Sequence, residues 1–189
     1  YLLRALWDEL KISKVLSQCI RDRSFTSPVE WAAFSMVANR ALAPDSKRGV
    51  EEWIREDVAL GNPEPIELQH LYRAMDFLEL NREEIEREVY FSIADLFNLD
   101  VDVIFYDLTS ASFEVNEPDG PHEDGTPGLR QLGRGSDGHF GIQVTIALAV
   151  TSDGLPVRSW VFPGNTSHKT TLERVRADLR SWKLGRCLF

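Results

Sequence analysis

Cysteine is nearly absent from this chain: Cys19 and Cys187, far apart in its 189 residues, are the only two. They match no metal-ligand spacing and are too few for a disulfide framework, so they read as buried free thiols suited to a reducing cytoplasm. Long apolar runs are also lacking, and no stretch approaches the ~20 residues that cross a bilayer. With no signal peptide in view, the glycosylation-type triplet Asn165-Thr166-Ser167 reads as chance. Positive charge is scarce, with 21 Lys and Arg against 30 Asp and Glu, net −9. A uniformly acidic protein would argue against a nucleic-acid partner. This one is uneven: residues 1–124 hold 12 basic and 26 acidic side chains, whereas residues 125–189 hold 9 basic and 4 acidic. The basic final third keeps DNA open as a partner. Tyr1 opens the chain and the apolar "GRCLF" closes it without a turn or cap, which reads as a piece of a longer protein.

What is present divides near residue 100. Residues 1–99 read as a helical region. Leu3, Leu6 and Leu10, continued by Val15, Leu16 and Cys19, mark one face of a first helix. Ser27, Pro28 and Glu30 read as a capping box with proline at the first helical position. "SKRGVEEWIREDVALGNP" stops at Gly61-Asn62-Pro63. Leu68, Leu71, Met75 and Leu78 share helical spacing. Asn81 and Glu84 suggest another capping box, ahead of inward-facing Ile85, Val89, Ile93 and Leu96. His70, within a helix, reads as structural, and Trp31, Trp53, Trp160 and Trp182 read as core.

From residue 100 the period changes. A strand is expected over 101–107, then a mobile loop over the Gly- and Pro-rich 116–139. Strands 142–151 and 157–162 pair as a hairpin about Asp153-Gly154. A helix follows, with Leu172, Val175, Leu179 and Trp182 on its face, and "RCLF" begins another strand. The class is α+β: a helical region, then a mixed sheet with a crossover helix. The order matches the first part of an RNase H-like core, three antiparallel strands, a crossover helix, and a fourth strand beside the first.

Asp107 closes the apolar run "VIFYD", followed by Thr109 and Ser110. An isolated aspartate at a strand end most often caps a turn. On an apolar central strand, however, ligands collect beyond the carboxyl end. A carboxylate placed there can take Mg²⁺, an ion that prefers oxygen, and a pair of such ions can activate a hydroxyl and stabilise the leaving oxygen of a phosphodiester. Thr109 and Ser110 then either orient Asp107 or satisfy the strand end.

"VIFYDLTSASFE", "GSDGHFGIQVTIALAVTSDGLPVRSWVFPGNTSH" and "RCLF", with the upstream "FSMVANRALAPDSKRGVEEWIREDV" and "LYRAMDFLEL", together resemble a DDE transposase of bacterial insertion sequences. The resemblance covers nearly the whole chain. It implies metal-dependent DNA strand cleavage and strand transfer at transposon ends, with Mg²⁺ or Mn²⁺ held by the full-length protein. Asp107 matches the family's first catalytic, metal-binding aspartate, and the second aspartate and the glutamate fall beyond Phe189. The chain thus resembles the N-terminal half of such an enzyme and is expected to be inactive alone. Transposon ends and target DNA are the implied partners, homodimerisation belongs to the full-length protein, and the place is the bacterial cytoplasm at the nucleoid. Gly141 departs from many relatives, which carry an acidic residue there.

Residues 100–189 would form the truncated catalytic domain, and residues 1–99 would serve DNA-end binding or dimerisation. Arg130, Arg134, His168 and Lys169 in loops, with Arg176, Arg180 and Lys183 on the last helix, are the candidate phosphate contacts. Two other functions compete. One is a non-catalytic DNA- or partner-binding remnant of a transposase. The other is a haloacid-dehalogenase-type phosphatase, which needs a second acid two positions on, where this chain has Thr109.

Overall fold

The computed structural model describes residues 1–21, 27–61, 65–97, 104–135, 138–152 and 154–182. The chain divides into two compact units, Tyr1–Asn98 and Leu99–Phe189. Six helices build the first: α1 (Leu2–Glu9), α2 (Ile12–Arg21), α3 (Val29–Leu42), α4 (Lys47–Glu56), α5 (Leu68–Leu80) and α6 (Arg82–Phe97). The second holds β1 (Ile104–Ser112), β2 (Gln131–Arg134), β3 (Phe140–Thr151), β4 (Pro156–Pro163) and α7 (His168–Ser181).

In the helical unit the core is Val15, Leu16, Val29, Ala32, Phe34, Val50, Leu71, Ala74 and Phe77, with Trp7 and Trp53 at its margin. Each large side chain there contributes about 1.5–3 kcal/mol by leaving water. The expected first helix is two. Lys11 takes a left-handed φ of 60°, and its amide bonds back to Asp8 at 3.1 Å. That break lets Ser13 reach both Asp8 and Glu30 at 2.8 Å. The buried residue of α1 is Trp7, not the leucine stripe. Neither expected capping box forms as read. Pro28 is the N-cap of α3 without a side-chain cap, because Glu30 is drawn away to Trp7 Nε1 at 2.9 Å and to Arg4 at 2.9 Å. Asn81 turns backward, its Nδ2 donating to the Phe77 carbonyl at 2.7 Å and closing α5. In α5 the buried stripe is Leu71, Ala74 and Phe77, and Met75 faces solvent. Helix α4 stops at Glu56, shorter than expected, and its cap is Ser46, which accepts from the Gly49 amide at 3.1 Å.

In the second unit β3 is the centre of an antiparallel sheet. Gln143 is opposed both by Ser112 of β1 and by Gln131 of β2, and Val144 to Val150 are opposed by both β1 and β4. Strand β1 therefore lies along one edge of β3, with β2 and β4 end to end along the other. The hairpin expectation holds: β3 and β4 pair with Ala147 opposite Trp160, and an irregularity at Ala149/Val150 lies beside the turn. All pairings among the described residues are antiparallel. The mixed character of the expected sheet rests on "RCLF", which lies outside the described residues, as do Val101 to Val103, Lys183 and Cys187.

Directly opposed residues share a face. On one face lie Tyr106, Leu108 and Ser110, then Ala149, Ala147 and Thr145, then Arg158, Trp160 and Phe162. Helix α7 covers it with Thr171, Val175, Leu179 and Trp182, all buried. Asp178 of α7 accepts from Trp160 Nε1 at 2.8 Å and pairs with Arg158 at 3.6 Å. The Arg158 guanidinium lies 5.1 Å from the Trp182 ring. Burial raises the Tyr106 hydroxyl above the usual tyrosine range, partly offset by its bond to Thr171. The opposite face carries Phe105, Asp107, Thr109, Val150, Leu148, Ile146 and Val161. Phe105 is 56% and Leu148 43% exposed there.

Candidate functional site

Strand β1 does not end at Asp107. It runs on through Thr109 and Ser110 to Ser112, which corrects the expectation of a carboxylate at a strand terminus. The reason is pairing: Thr109 opposes Ile146 and Ser110 opposes Thr145, so β3 continues the ladder beneath residues whose composition reads as a turn. Asp107 stands in the fourth position of β1, opposite Leu148.

Its placement follows from strand geometry. Phe113 donates its amide to the directly opposed Ile142 at 2.8 Å. In an antiparallel pair the N–H groups alternate between partner and outside. Odd residues of β1 thus bond to β3, and the amides of Tyr106, Leu108 and Ser110 point to the outer edge. Asp107 uses its side chain on that edge, Oδ1 accepting from the Leu108 amide at 2.8 Å. The carboxylate is exposed, on the face away from α7, at the border of an edge to which no strand pairs among the described residues. A charged group satisfying an edge amide also discourages unwanted strand pairing, so the capping role survives in altered form.

As a metal site the arrangement is incomplete. Among the described residues no three His, Cys, Asp or Glu side chains come together. A lone exposed carboxylate offers one oxygen where Mg²⁺ takes six ligands. These residues do not by themselves fit a Mg²⁺ or Mn²⁺ centre.

The basic candidates are dispersed. Arg130 is engaged: its guanidinium pairs with Asp119 at 2.6 Å and its amide donates to the same carboxylate at 2.9 Å. Arg130 holds the Asp119 carboxyl below the usual carboxylate range, through its side-chain and then its backbone hydrogen bond. Asp119 and Gly128 also bind Gln131 Nε2, at 2.9 and 3.0 Å, so the segment expected to be a mobile loop is a stapled arch ending in β2. A depressed folded pKa stabilises the arch above the unfolded value of about 4 and is lost as pH falls through the folded one. The amides of Asp119, Arg130 and Gln131 are expected to lose hydrogen-exchange protection below about pH 4, and Asp119→Asn to show the loss already at neutral pH. Protection that stays level from pH 7 to pH 2 would remove the clamp from this account.

Arg134 ends β2, exposed, with Nε donating to the Gly138 carbonyl at 3.3 Å. Lys169, Arg176 and Arg180 are exposed on α7. At 100° per residue they fall within an arc of about 40°, centred roughly 120° around the helix from the buried stripe. His168 begins α7. Lys183 lies outside the described residues.

Sequence pattern alone does not reveal a cleft of about 530 Å³ that opens between the distal half of β1, β2 and the turn Gly164 to Thr166. Its walls depend on glycine. A Cβ on Gly133 would overlap the Gly164 carbonyl, and one on Gly164 would overlap the Gln143 carbonyl. The "GLRQLGRG" stretch holds the signal, since Leu132 and Arg134 alternate with the buried Gly133, but its glycines read as loop.

No protein-family model matches this chain, and no curated protein or solved structure matches it either.

Proposed function

We propose that residues 104–182 are the first part of an RNase H-like catalytic core, and that the chain belongs to a transposase that cuts and joins DNA at transposon ends. The observation that carries this reading is the strand order. β1, β3 and β4 run antiparallel in sequence, α7 then crosses one face, and among the described residues no strand pairs with the outer edge of β1 beside Asp107. A further strand on that edge would lie about 4.8 Å from β1. A carboxylate carried on it would come beside Asp107. "RCLF" is the segment that the sequence offers for that strand. Asp107 then supplies one oxygen ligand of a centre completed by residues outside the described ones.

Antiparallel pairing of β1 with β3 weighs against a haloacid-dehalogenase-type phosphatase, whose doubly wound sheet calls for a helix after the first strand. A non-catalytic remnant shares every feature above and differs only in lacking the remaining carboxylates. The DNA contacts that support either form are Lys169, Arg176 and Arg180. No helix among the described residues is long and apolar enough to cross a membrane.

Binding of a short DNA duplex, followed by fluorescence anisotropy, is expected to weaken steeply with salt. Arg176→Gln with Arg180→Gln should make the slope of log K against log salt shallower by roughly 2, about 0.9 for each phosphate that is no longer neutralised. Salt-independent binding, or a slope unchanged in the double variant, would count against DNA on this face.

A further inference from the structure

We propose that the sheet face turned away from α7 docks a second copy of this chain, in a two-fold dimer that sets Asp107 of each copy against Arg134 of the other. Three observations support it.

The first is an outer face without the usual polarity. An antiparallel sheet with one face in water alternates apolar and polar residues along each strand. On β3 the residues turned away from α7 are Phe140, Ile142, Val144, Ile146, Leu148 and Val150, apolar without exception. Strand β3 thus has the composition of a strand covered on both faces. Among the described residues the one helix of this unit, α7, lies on the other face.

The second is area. Phe105, Phe113, Leu132, Phe140, Leu148 and Val161 share this face and are each between 40% and 74% exposed. With about 200 Å² for an aromatic side chain and somewhat less for leucine or valine, they present roughly 600 Å² of apolar surface. That is the upper end of what a typical monomer leaves uncovered, about 300–600 Å². With the half-buried Ile142, Ile146 and Val150 between them, the face approaches the ~800 Å² that each partner brings to a standard interface.

The third is charge. Asp107, Arg134 and Arg158 are the only charged residues in the described strands, and Arg158 lies on the α7 face. The docking face therefore carries one aspartate and one arginine. Asp107 opposes Leu148 and Arg134 opposes Phe140, eight residues apart on β3. That separates them by about 27 Å along β3 and, because β1 and β2 flank it, by about 10 Å across. A surface that complements itself about a two-fold axis needs opposite charges at its two ends, and this face has them. An axis lying between the sheets and perpendicular to the Asp107–Arg134 line brings each carboxylate to the partner's guanidinium. The line is tilted about 20° from β3, so the strands of the two copies cross at about 40°, near the ~30° at which packed sheets align.

Nucleic acid fits this face less well. Strand β1 leads directly into residues 113–124, which hold Glu114, Glu117, Asp119, Glu123 and Asp124 and no Lys or Arg, a stretch that repels a polyanion. A carboxylate held by the partner's Arg134 is not free to ligate a cation, so dimer and metal centre are alternatives at Asp107. The test reads mass and not cleavage, and its result stands whether or not the transposase reading does.

Sedimentation equilibrium of the 189-residue chain is expected to show a closed monomer–dimer equilibrium with a micromolar or lower dissociation constant. Leu148→Lys, near the centre of the face, should weaken it at least about a hundredfold, and Val161→Lys should do the same. Both positions are exposed, so the fold, read by circular dichroism, should be unchanged. Asp107→Arg and Arg134→Asp each set like charges face to face twice per dimer and should each weaken association by about tenfold or more. Asp107→Arg combined with Arg134→Asp should restore it. A chain still monomeric at about 500 µM, open-ended association without a dimer plateau, or a dimer that both lysine variants leave intact would overturn the proposal. So would single charge reversals that the double variant does not rescue. Oligonucleotide binding by a monomeric parent that Leu148→Lys abolishes would give the face to nucleic acid instead.

Discussion

In a chain long enough to carry the remaining carboxylates, Asp107→Asn is expected to lower oligonucleotide cleavage and joining in Mg²⁺ by roughly a thousandfold, the factor that about 4 kcal/mol of lost transition-state stabilisation represents. The substitution separates two roles that the geometry allows. Asparagine keeps the size of the side chain and an oxygen that can still accept from the Leu108 amide, now held at 2.8 Å. If Asp107 only satisfies the open edge of β1, activity and melting temperature should both stay near those of the parent. If it is a ligand, activity falls while stability does not, because the lost charge is exposed and surface charges contribute little to folding. The 189 residues alone, with one carboxylate at the site, should show no cleavage in Mg²⁺ or Mn²⁺ with either residue at position 107. Cleavage by the 189-residue chain that disappears with Asp107→Asn would mean that a complete site exists within these residues.

The second large effect concerns how α7 is held to the sheet. Asp178→Ala is expected to destabilise the sheet-bearing unit by about 3 kcal/mol, through loss of a carboxylate beside a buried arginine together with the acceptor of Trp160. Arg158 is 7% exposed and Asp178 28%, so a largely dry guanidinium would lose its carboxylate at 3.6 Å, and Trp160 Nε1 would lose its acceptor at 2.8 Å. The partial exposure of Asp178 admits some water and keeps the figure from rising further. A drop of roughly 12–24 °C in the melting temperature of that unit should follow. Asp178→Asn, which keeps an acceptor for Trp160, should cost less. Arg158→Met combined with Asp178→Leu should recover much of the loss, since apolar replacements remove the stranded charge. Equal melting temperatures for the parent and Asp178→Ala would show that the Arg158 stack on Trp160 and Trp182, at 5.4 and 5.1 Å, holds the helix without the carboxylate.

Local pattern carries much of this fold and none of its long-range commitments. The β3–β4 hairpin is legible because two apolar segments flank Asp153-Gly154, and Gly154 takes the left-handed φ of 82° that such a turn needs. The α7 stripe is legible at Val175, Leu179 and Trp182, which are buried. The break at Lys11 is not, because lysine is an ordinary helix former and the bonds that Ser13 makes after the break, to Asp8 and to Glu30 of α3, join residues distant in sequence. Glu30 looks like a cap and serves instead as the acceptor for Trp7, Ser13 and Arg4, a case of tertiary partners overriding a local signal. The full length of β1 is hidden for a similar reason. Thr109, Ser110 and Ser112 suit turns in isolation, yet they continue a strand that β3 pairs along its full length. The cleft is the least legible feature, because it depends on Gly133 meeting Gly164, residues that only the sheet register brings together.

Asp107 stands out in the sequence through its strand and the hydroxyl residues after it, and it lies exposed on β1, on the side to which no strand pairs among the described residues. Arg130 stands out as a loop cation but is occupied by Asp119, because the partner lies 11 residues upstream in a stretch without periodicity.

The proposed function requires Asp107 to bind a catalytic cation once a neighbouring strand lies along the outer edge of β1. Its most direct test is manganese anomalous scattering from crystals of the longer chain soaked in Mn²⁺. The account predicts a peak about 2–2.5 Å from an Asp107 carboxylate oxygen, with a second carboxylate from the strand beside β1 on the same ion. Manganese bound elsewhere, with Asp107 still folded back onto the Leu108 amide, would contradict it.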